Sequence, residues 1–348
     1  MNQRLFFTLV GASLILAGAA HYFMENELIK FATASLAIVV LAAWLGKATE
    51  NVAHYAGDRI GGFLNATFGN AAELIIAFFL VREGLFDMVK ASITGSIIGN
   101  MLLVLGLSVF LGGLKFKEQT FNSRLAGHNS SLMMLALVAL FIPAVFMQGL
   151  DAPKINTLSI VIAVILIIAY ILWLIFSMMT HKEFLTDIEP DDSEEPHWSK
   201  GLSIIMLVLS TASVAIVSEW LVKSVEVVSA DLGWSELFVG AFVIAIIGNA
   251  AEHSAALLLA MKGRIGAAVE IAIGSSLQIA LFVAPTLVLV SLLFGNPMNI
   301  VFSTYELTAI AVATFITISI SRDGATNWYE GTLLLAVYII LGTAFYFA

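Results

Sequence analysis

Gly69-Asn70-Ala71-Ala72-Glu73 occurs twice: the same five residues return as Gly248-Asn249-Ala250-Ala251-Glu252, at an offset of 179 (residue 252 against residue 73). The offset holds without a gap over a longer stretch. Gly61, Phe63, Ala66, Ala77, Leu80, Gly84, Gly95 and Ser96 each meet an identical residue 179 positions on, ending at Gly274 and Ser275. Each copy sets one carboxylate inside an apolar run. A duplicated acid in apolar surroundings is the pattern of a transporter built from internal repeats.

Outward from the motif the chain stays apolar. Of its 348 residues, 60% are hydrophobic and 12% charged, with a mean hydropathy of +0.97. A soluble domain carries roughly twice that charge fraction. Eleven apolar spans are expected, at roughly 5–23, 30–56, 61–81, 88–113, 129–148, 156–179, 201–228, 235–261, 266–294, 304–321 and 329–347. Most are separated by short turns such as Gly57-Asp58 and Gly295-Asn296-Pro297. The alternation of a membrane β-barrel is missing. The predicted fold is therefore an all-α polytopic membrane protein with the lipid bilayer as its surroundings. Arg4 and the apolar run to Ala17-Gly18-Ala19 imitate a signal peptide; with so many spans behind it, the segment is read as an uncleaved first helix.

Cysteine is absent, which excludes disulfides, thiol catalysis and thiolate metal sites. No basic patch points to nucleic acid. No Gly-x-Ser-x-Gly or His-Glu-x-x-His motif supports an intramembrane enzyme, so the expectation is a transporter, without a cofactor.

One interruption differs from the short turns. Glu183, Asp187, Glu189, Asp191, Asp192, Glu194 and Glu195 crowd into one stretch with no base among them. The expected division is residues 1–28, an extra N-terminal helix; 29–181, a first five-helix repeat; 182–200, an acidic loop; and 201–348, a second five-helix repeat. Five is odd, so the second set enters the membrane from the opposite face and the repeats are inverted. Lys and Arg orient the whole. With the N-terminus inside, Arg4, Arg59, Lys115, Lys117, Arg124, Lys182, Lys200, Lys262, Arg264 and Arg322 fall on the inner side. Lys30, Arg82, Lys90, Lys154 and Lys223 fall on or near the outer side. The N-terminus and the acidic loop are thus expected in the cytoplasm, and the C-terminus outside. The acidic stretch is read first as a solvated linker and second as a gatherer or sensor of cytoplasmic Ca2+; it lacks the Gly and bidentate Glu of an EF-hand, and Pro190 and Pro196 argue for a loop.

Glu73 and Glu252 carry the chemistry. A carboxylate in the hydrocarbon zone costs several kcal/mol unless it faces a cavity or a partner. Asn70 and Asn249 stand three residues before them, on the same helix face. Gly69 and Gly248 permit close backbone approach or an unwound turn. The next helix of each repeat adds Ser96 and Asn100 in the first half, Ser275 and Gln278 in the second. Gly95 and Gly99 form a small-xxx-small pair for tight packing. Inverted repeats bring equivalent helices together near the midplane. The pooled ligands are all oxygens, which suits a hard divalent cation such as Ca2+ and not Zn2+, Cu or Ni. Two close carboxylates in low dielectric cannot both stay ionised and unpaired. A cation and protons therefore compete for them, which is the physical basis of an antiporter.

Secondary candidates surround this centre. Glu50, after Thr49, and Glu219, after Ser218, resemble repeat equivalents once a gap is allowed, and are read either as acids on the ion path or as helix-end acids in the headgroup layer. His253 adjoins Glu252 but points about 100° away, and is read first as a packing histidine and second as a proton relay. His128 is placed at the interface, and Lys223, Glu226 and Glu306 are expected to snorkel near span ends. The symmetry fails at one ligand: Asn100 corresponds to Ile279, and the amide sits one residue earlier, at Gln278.

The stretches Gly61-Gly62-Phe63-Leu64-Asn65-Ala66-Thr67-Phe68-Gly69-Asn70-Ala71-Ala72-Glu73-Leu74-Ile75-Ile76, Lys90-Ala91-Ser92-Ile93-Thr94-Gly95-Ser96-Ile97-Ile98-Gly99-Asn100 and Gly248-Asn249-Ala250-Ala251-Glu252-His253 resemble the signatures of the calcium/proton exchangers of the CAX type, within the calcium/cation antiporter superfamily. The resemblance spans nearly the whole chain. It implies a secondary active antiporter that exports Ca2+ from the cytoplasm in exchange for protons by alternating access. Glu73 and Glu252 would then be the alternately protonated and Ca2+-binding acids, with Asn70, Ser96, Asn100, Asn249, Ser275 and Gln278 around them. The resemblance further implies that spans 2 and 7 move against a core of the others. Relatives coupled to Na+ tend to be richer in acids along these helices, so the scarcity of acids here fits protons. Na+-coupled exchange and a passive channel are the alternatives. A prokaryotic cell (inner) membrane is the expected location, and assembly as a homo-oligomer is left open.

Overall fold

A backbone in hydrocarbon has to satisfy its own N–H and C=O groups, and this chain does so in helices. The computed structural model describes residues 3–146, 149–180 and 198–348. The acidic stretch from Glu183 to Glu195 lies outside the described residues. Among the described residues the helices are α1 (Gln3–Phe23), α2 (Glu27–Phe68), α3 (Ala71–Glu83), α4 (Phe86–Phe116), α5 (Ser123–Phe146), α6 (Ala152–Thr180), α7 (Lys200–Leu232), α8 (Glu236–Met261), α9 (Ile265–Phe294), α10 (Thr304–Ile320) and α11 (Trp328–Phe347). All but α3 and α10 are long and apolar enough to cross a membrane. Two short strands, β1 (Glu118–Thr120) and β2 (Ala325–Asn327), pair antiparallel and tie the α4–α5 loop to the α10–α11 loop. The sequence carried no sign of this ribbon.

The first repeat departs from the expected spans. The break expected at Gly57-Asp58 is present as a one-residue kink inside α2: Gly57 (φ 77°, ψ 167°) is non-helical, a conformation only glycine adopts without steric cost, and helix resumes beyond it to Phe68. A second interruption, inside the expected span 61–81, falls at Asn70 (φ −96°, ψ 26°), directly before Glu73 in the first turn of α3. In the second repeat the identical Gly248-Asn249 pair stays inside the continuous helix α8. There the irregularity is a π-helical turn upstream, at Val239–Ile244. Helices α4 and α9 carry matching π-turns: the Leu105 amide reaches back to the Asn100 carbonyl, and the Ala284 amide to that of Ile279. Such widened turns often sit at functional sites.

The packing comes in exchanged pairs, as an inverted five-helix repeat requires. Helix α2 lies along its counterpart α7, and α5 along α10. Where α4 packs on α11, α9 packs on α6; where α8 packs on α2, α3 packs on α7. Helix α1 stands outside the scheme and rests mainly on α2. Helices α4 and α9 are the most enclosed, while α6 turns Val161, Ile165, Ile168 and Leu172 outward. Glu306 does not snorkel: it is buried and closes a capping box with Ser303 at the start of α10.

Candidate ion-binding site

The two motif copies end face to face. A Cβ built on Gly69 would lie 3.3 Å from Glu252 Oε1, and one on Gly248 would lie 2.9 Å from Glu73 Cγ. Each motif's glycine thus leaves room for the other motif's carboxylate. The two acids are near enough to act on one another electrostatically.

Amides and hydroxyls frame the pair. Asn70 Nδ2 donates to Gln278 Oε1 at 2.8 Å, and Gln278 Nε2 to the Thr67 carbonyl at 3.5 Å. Asn249 Nδ2 donates to Ser96 Oγ and to the Ala245 carbonyl, each at 2.9 Å. Asn100 Nδ2 donates to Asn249 Oδ1 at 3.5 Å. Ser275 and Glu252 line the same cavity. All eight residues singled out as ligands from the sequence therefore lie in one neighbourhood drawn from both repeats. Asn70, Glu73, Ser96, Asn100, Asn249, Ser275 and Gln278 are buried.

Three oxygens in this cluster, Asn70 Oδ1, Glu73 Oε1 and Glu252 Oε2, are buried and accept no hydrogen bond. A buried acceptor left without a donor costs about 1–3 kcal/mol, more when charged. Two kinds of partner relieve that cost: protons on the carboxyls, or a cation among the oxygens. Among the described residues no group of three or more His, Cys, Asp or Glu side chains converges. The centre is two carboxylates among neutral oxygens.

A cavity of about 620 Å³ reaches this centre from one end of the molecule. Its walls include Lys47, Glu50 and His54 of α2, Ser254 of α8 and Ile271 of α9, and its floor is Gly69, Glu252 and Ser275. Away from the cavity the helices pack closely. Gly95 of α4 meets the backbone of Ala241, the rings of Phe78 and Phe294 stand 5.5 Å apart, and Lys90 Nζ bonds Asn299 Oδ1 at 3.1 Å. Gly99, expected to share in the close packing, has no atom within 4 Å of its Cβ position.

The secondary candidates separate. Glu50 lines the cavity, whereas Glu219 pairs with Lys223 at 3.0 Å and Arg82 at 3.8 Å. His253 Nε2 lies 3.2 Å from Asn100 Oδ1. His128 is exposed, with its ring 5.9 Å from that of Phe176. Sequence reasoning missed Lys47, which lines the cavity with its Nζ over the rings of Phe6 (5.6 Å) and Trp198 (5.9 Å). The signal was there: a lone base well inside an apolar span.

A sequence profile of the sodium/calcium exchanger protein family matches residues 27–179 and 202–347. The Ca2+/H+ antiporter ChaA of Bacillus subtilis (strain 168) is 46% identical over 349 residues, covering 99% of this chain and 99% of the relative. The Ca2+/H+ antiporter of Aphanothece halophytica is 46% identical over 345 residues, 94% of this chain and 92% of the relative. The solved structure of native YfkE superposes with a TM-score of 0.87 at 43% identity, over 99% of this chain and 100% of that one.

Proposed function

The chain belongs to the sodium/calcium exchanger protein family, and from that membership and the geometry of the centre we propose that it is a secondary active antiporter exporting Ca2+ in exchange for protons. The observation that carries the reading is the trio of donorless oxygens, Asn70 Oδ1, Glu73 Oε1 and Glu252 Oε2. Ca2+ takes six to eight oxygen ligands in flexible geometry. Glu73 and Glu252 bind either the cation or protons, and Asn70, Asn249, Ser96, Asn100, Ser275 and Gln278 line or brace the same place. Because the protonated acids do not hold the cation, the two substrates exclude one another. The near full-length likeness to proteins named as Ca2+/H+ antiporters supports this pair of ions.

The cavity lies at the end of the molecule that holds Met261, Lys262 and Lys115. The Lys and Arg bias assigns that end to the cytoplasm, with the N-terminus inside and the C-terminus outside. Glu50 in its wall attracts cations toward the centre. Alternating access then follows from exchanging the surroundings of the two repeats, 29–181 and 201–348, about the shared site. The bacterial relatives support a prokaryotic cell membrane as the location.

Purified protein in liposomes, loaded with 45Ca2+ against an imposed pH gradient with and without Na+, tests the reading. Ca2+ is expected to move against the proton gradient without Na+, and its KM to rise as the pH on the cavity side falls. Flux indifferent to the pH gradient overturns proton coupling, and flux that requires Na+ favours the Na+-coupled alternative.

A further inference from the structure

One half of the centre has a bond that the other half lacks. His253 of α8 and Asn100 of α4 meet at 3.2 Å through Nε2 and Oδ1. At the repeat offset of 179, His253 corresponds to Leu74, and Asn100 to Ile279. The loss of symmetry at Asn100 is therefore one half of a double event: a polar pair in one repeat stands where the other repeat has two apolar side chains. A half-buried histidine kept only for packing has no reason to change together with a specific amide on a neighbouring helix.

The bond also sets a direction. Asn100 Oδ1 accepts, so the His253 ring carries its hydrogen on Nε2. Asn100 Nδ2 is then turned toward Asn249 Oδ1, and Asn249 Nδ2 toward Ser96 Oγ and the Ala245 carbonyl. Every donor along the chain points the same way, toward Ser96. With the histidine hydrogen removed, only the long 3.5 Å bond to Asn249 Oδ1 holds the Asn100 amide in this orientation, and turning over would set oxygen against oxygen at Asn249. Asn249 lies one helical turn from Glu252, and together with His253 it bonds α8 to α4 beside the carboxylates.

We propose that His253 is a positioning residue: its Nε2 hydrogen fixes the amide chain Asn100–Asn249–Ser96, and that chain holds α8, and with it Glu252, in register for the cation. The proposal rests on Ca2+ being the cargo. It assigns the histidine a held hydrogen and not a travelling proton.

Uptake of 45Ca2+ into proteoliposomes and 45Ca2+ binding to detergent-purified protein test it. His253→Leu and Asn100→Ile are each expected to raise the Ca2+ KM about five- to tenfold with little change in Vmax, the worth of one buried hydrogen bond. The double variant, which installs the Leu and Ile of the other repeat, is expected to be no worse than the poorer single one, since the pair acts as a unit. His253→Gln supplies an N–H near the Nε2 position and does not titrate; it is expected to bring KM within about twofold of wild type and to keep the wild-type pH profile. Folded His253→Gln protein with the defect of His253→Leu or a lost pH dependence overturns the proposal, as do unchanged KM values in the single variants or effects that multiply in the double. Detergent melting temperatures identify any variant that fails to fold, and the His253→Gln arm alone then decides. Wild-type flux indifferent to the pH gradient sinks the proton-coupled reading instead, while the binding measurements still judge the pair.

Discussion

Glu73 and Glu252 sit where a carboxylate is costly, and what accommodates them is the absence of two side chains. Gly69 and Gly248 each give up a Cβ that would press on the opposite acid. Gly248→Ala is therefore expected to fold and yet lose about tenfold to a hundredfold in Ca2+ transport, because the added methyl displaces Glu73 from its ligand position. Flux assays on the purified variant check this, and near-normal flux would show that the spacing is not critical. Glu73→Gln and Glu252→Gln keep the shape of each side chain but remove its charge. Each is expected to abolish Ca2+ transport while the detergent melting temperature holds or rises, since a buried uncompensated charge is lost. Normal transport by either variant would remove the two-carboxylate site. These residues were legible in the sequence because identical letters at a fixed offset single them out. The His253 contact was not, since the offset there joins His253 to Leu74 and conceals its bond to Asn100 on another helix.

At the scale of helices, equivalent positions in the two repeats carry different loads. A Cβ on Gly95 would overlap the Ala241 carbonyl, and one on Gly240 would come within 2.6 Å of Ala91 Cβ, so α4 and α8 cross in backbone contact. Gly274, the repeat equivalent of Gly95, has no atom within 4 Å of its Cβ position. Gly95→Ala is expected to destabilise the protein by about 1–3 kcal/mol through overpacking. Gly274→Ala should leave stability unchanged or slightly improved, as alanine suits a helix better than glycine. Thermal unfolding in detergent compares the two, and equal losses would contradict the packing difference. Helix number and length were readable because a run of apolar residues long enough to cross a bilayer is a local property. The break at Gly57 was readable from Gly57-Asp58, whereas the interruption at Asn70 escaped, since a single non-helical residue leaves the apolar run unbroken.

For the molecule as a whole, the cavity that reaches Glu252 makes a prediction of access. The chain has no cysteine, so single-cysteine variants report cleanly. His54→Cys and Ser254→Cys line the cavity and are expected to react with a membrane-impermeant thiol reagent applied from the cavity side. Phe79→Cys, 8% exposed in α3, is expected to be protected in the same state. Equal labelling at all three positions would rule out a closed opposite face. Helices α2 and α7 pack closely along their lengths, with α1 resting on α2.

Taken alone, the sequence determined the membrane class, the set of helices, the duplication and its inversion. Apolar length and an odd count of spans are properties of the chain read in order, and need no distance between helices. It also named the acids and their oxygen neighbours. Only the tertiary structure decided that Gly69 stands against Glu252 and Gly248 against Glu73, that three acceptors lack donors, and that a cavity reaches Glu252. The reason is that identical pentapeptides do not impose identical backbones. Asn70 interrupts a helix and Asn249 continues one, because each answers to the helices packed around it and not to its five-residue motif.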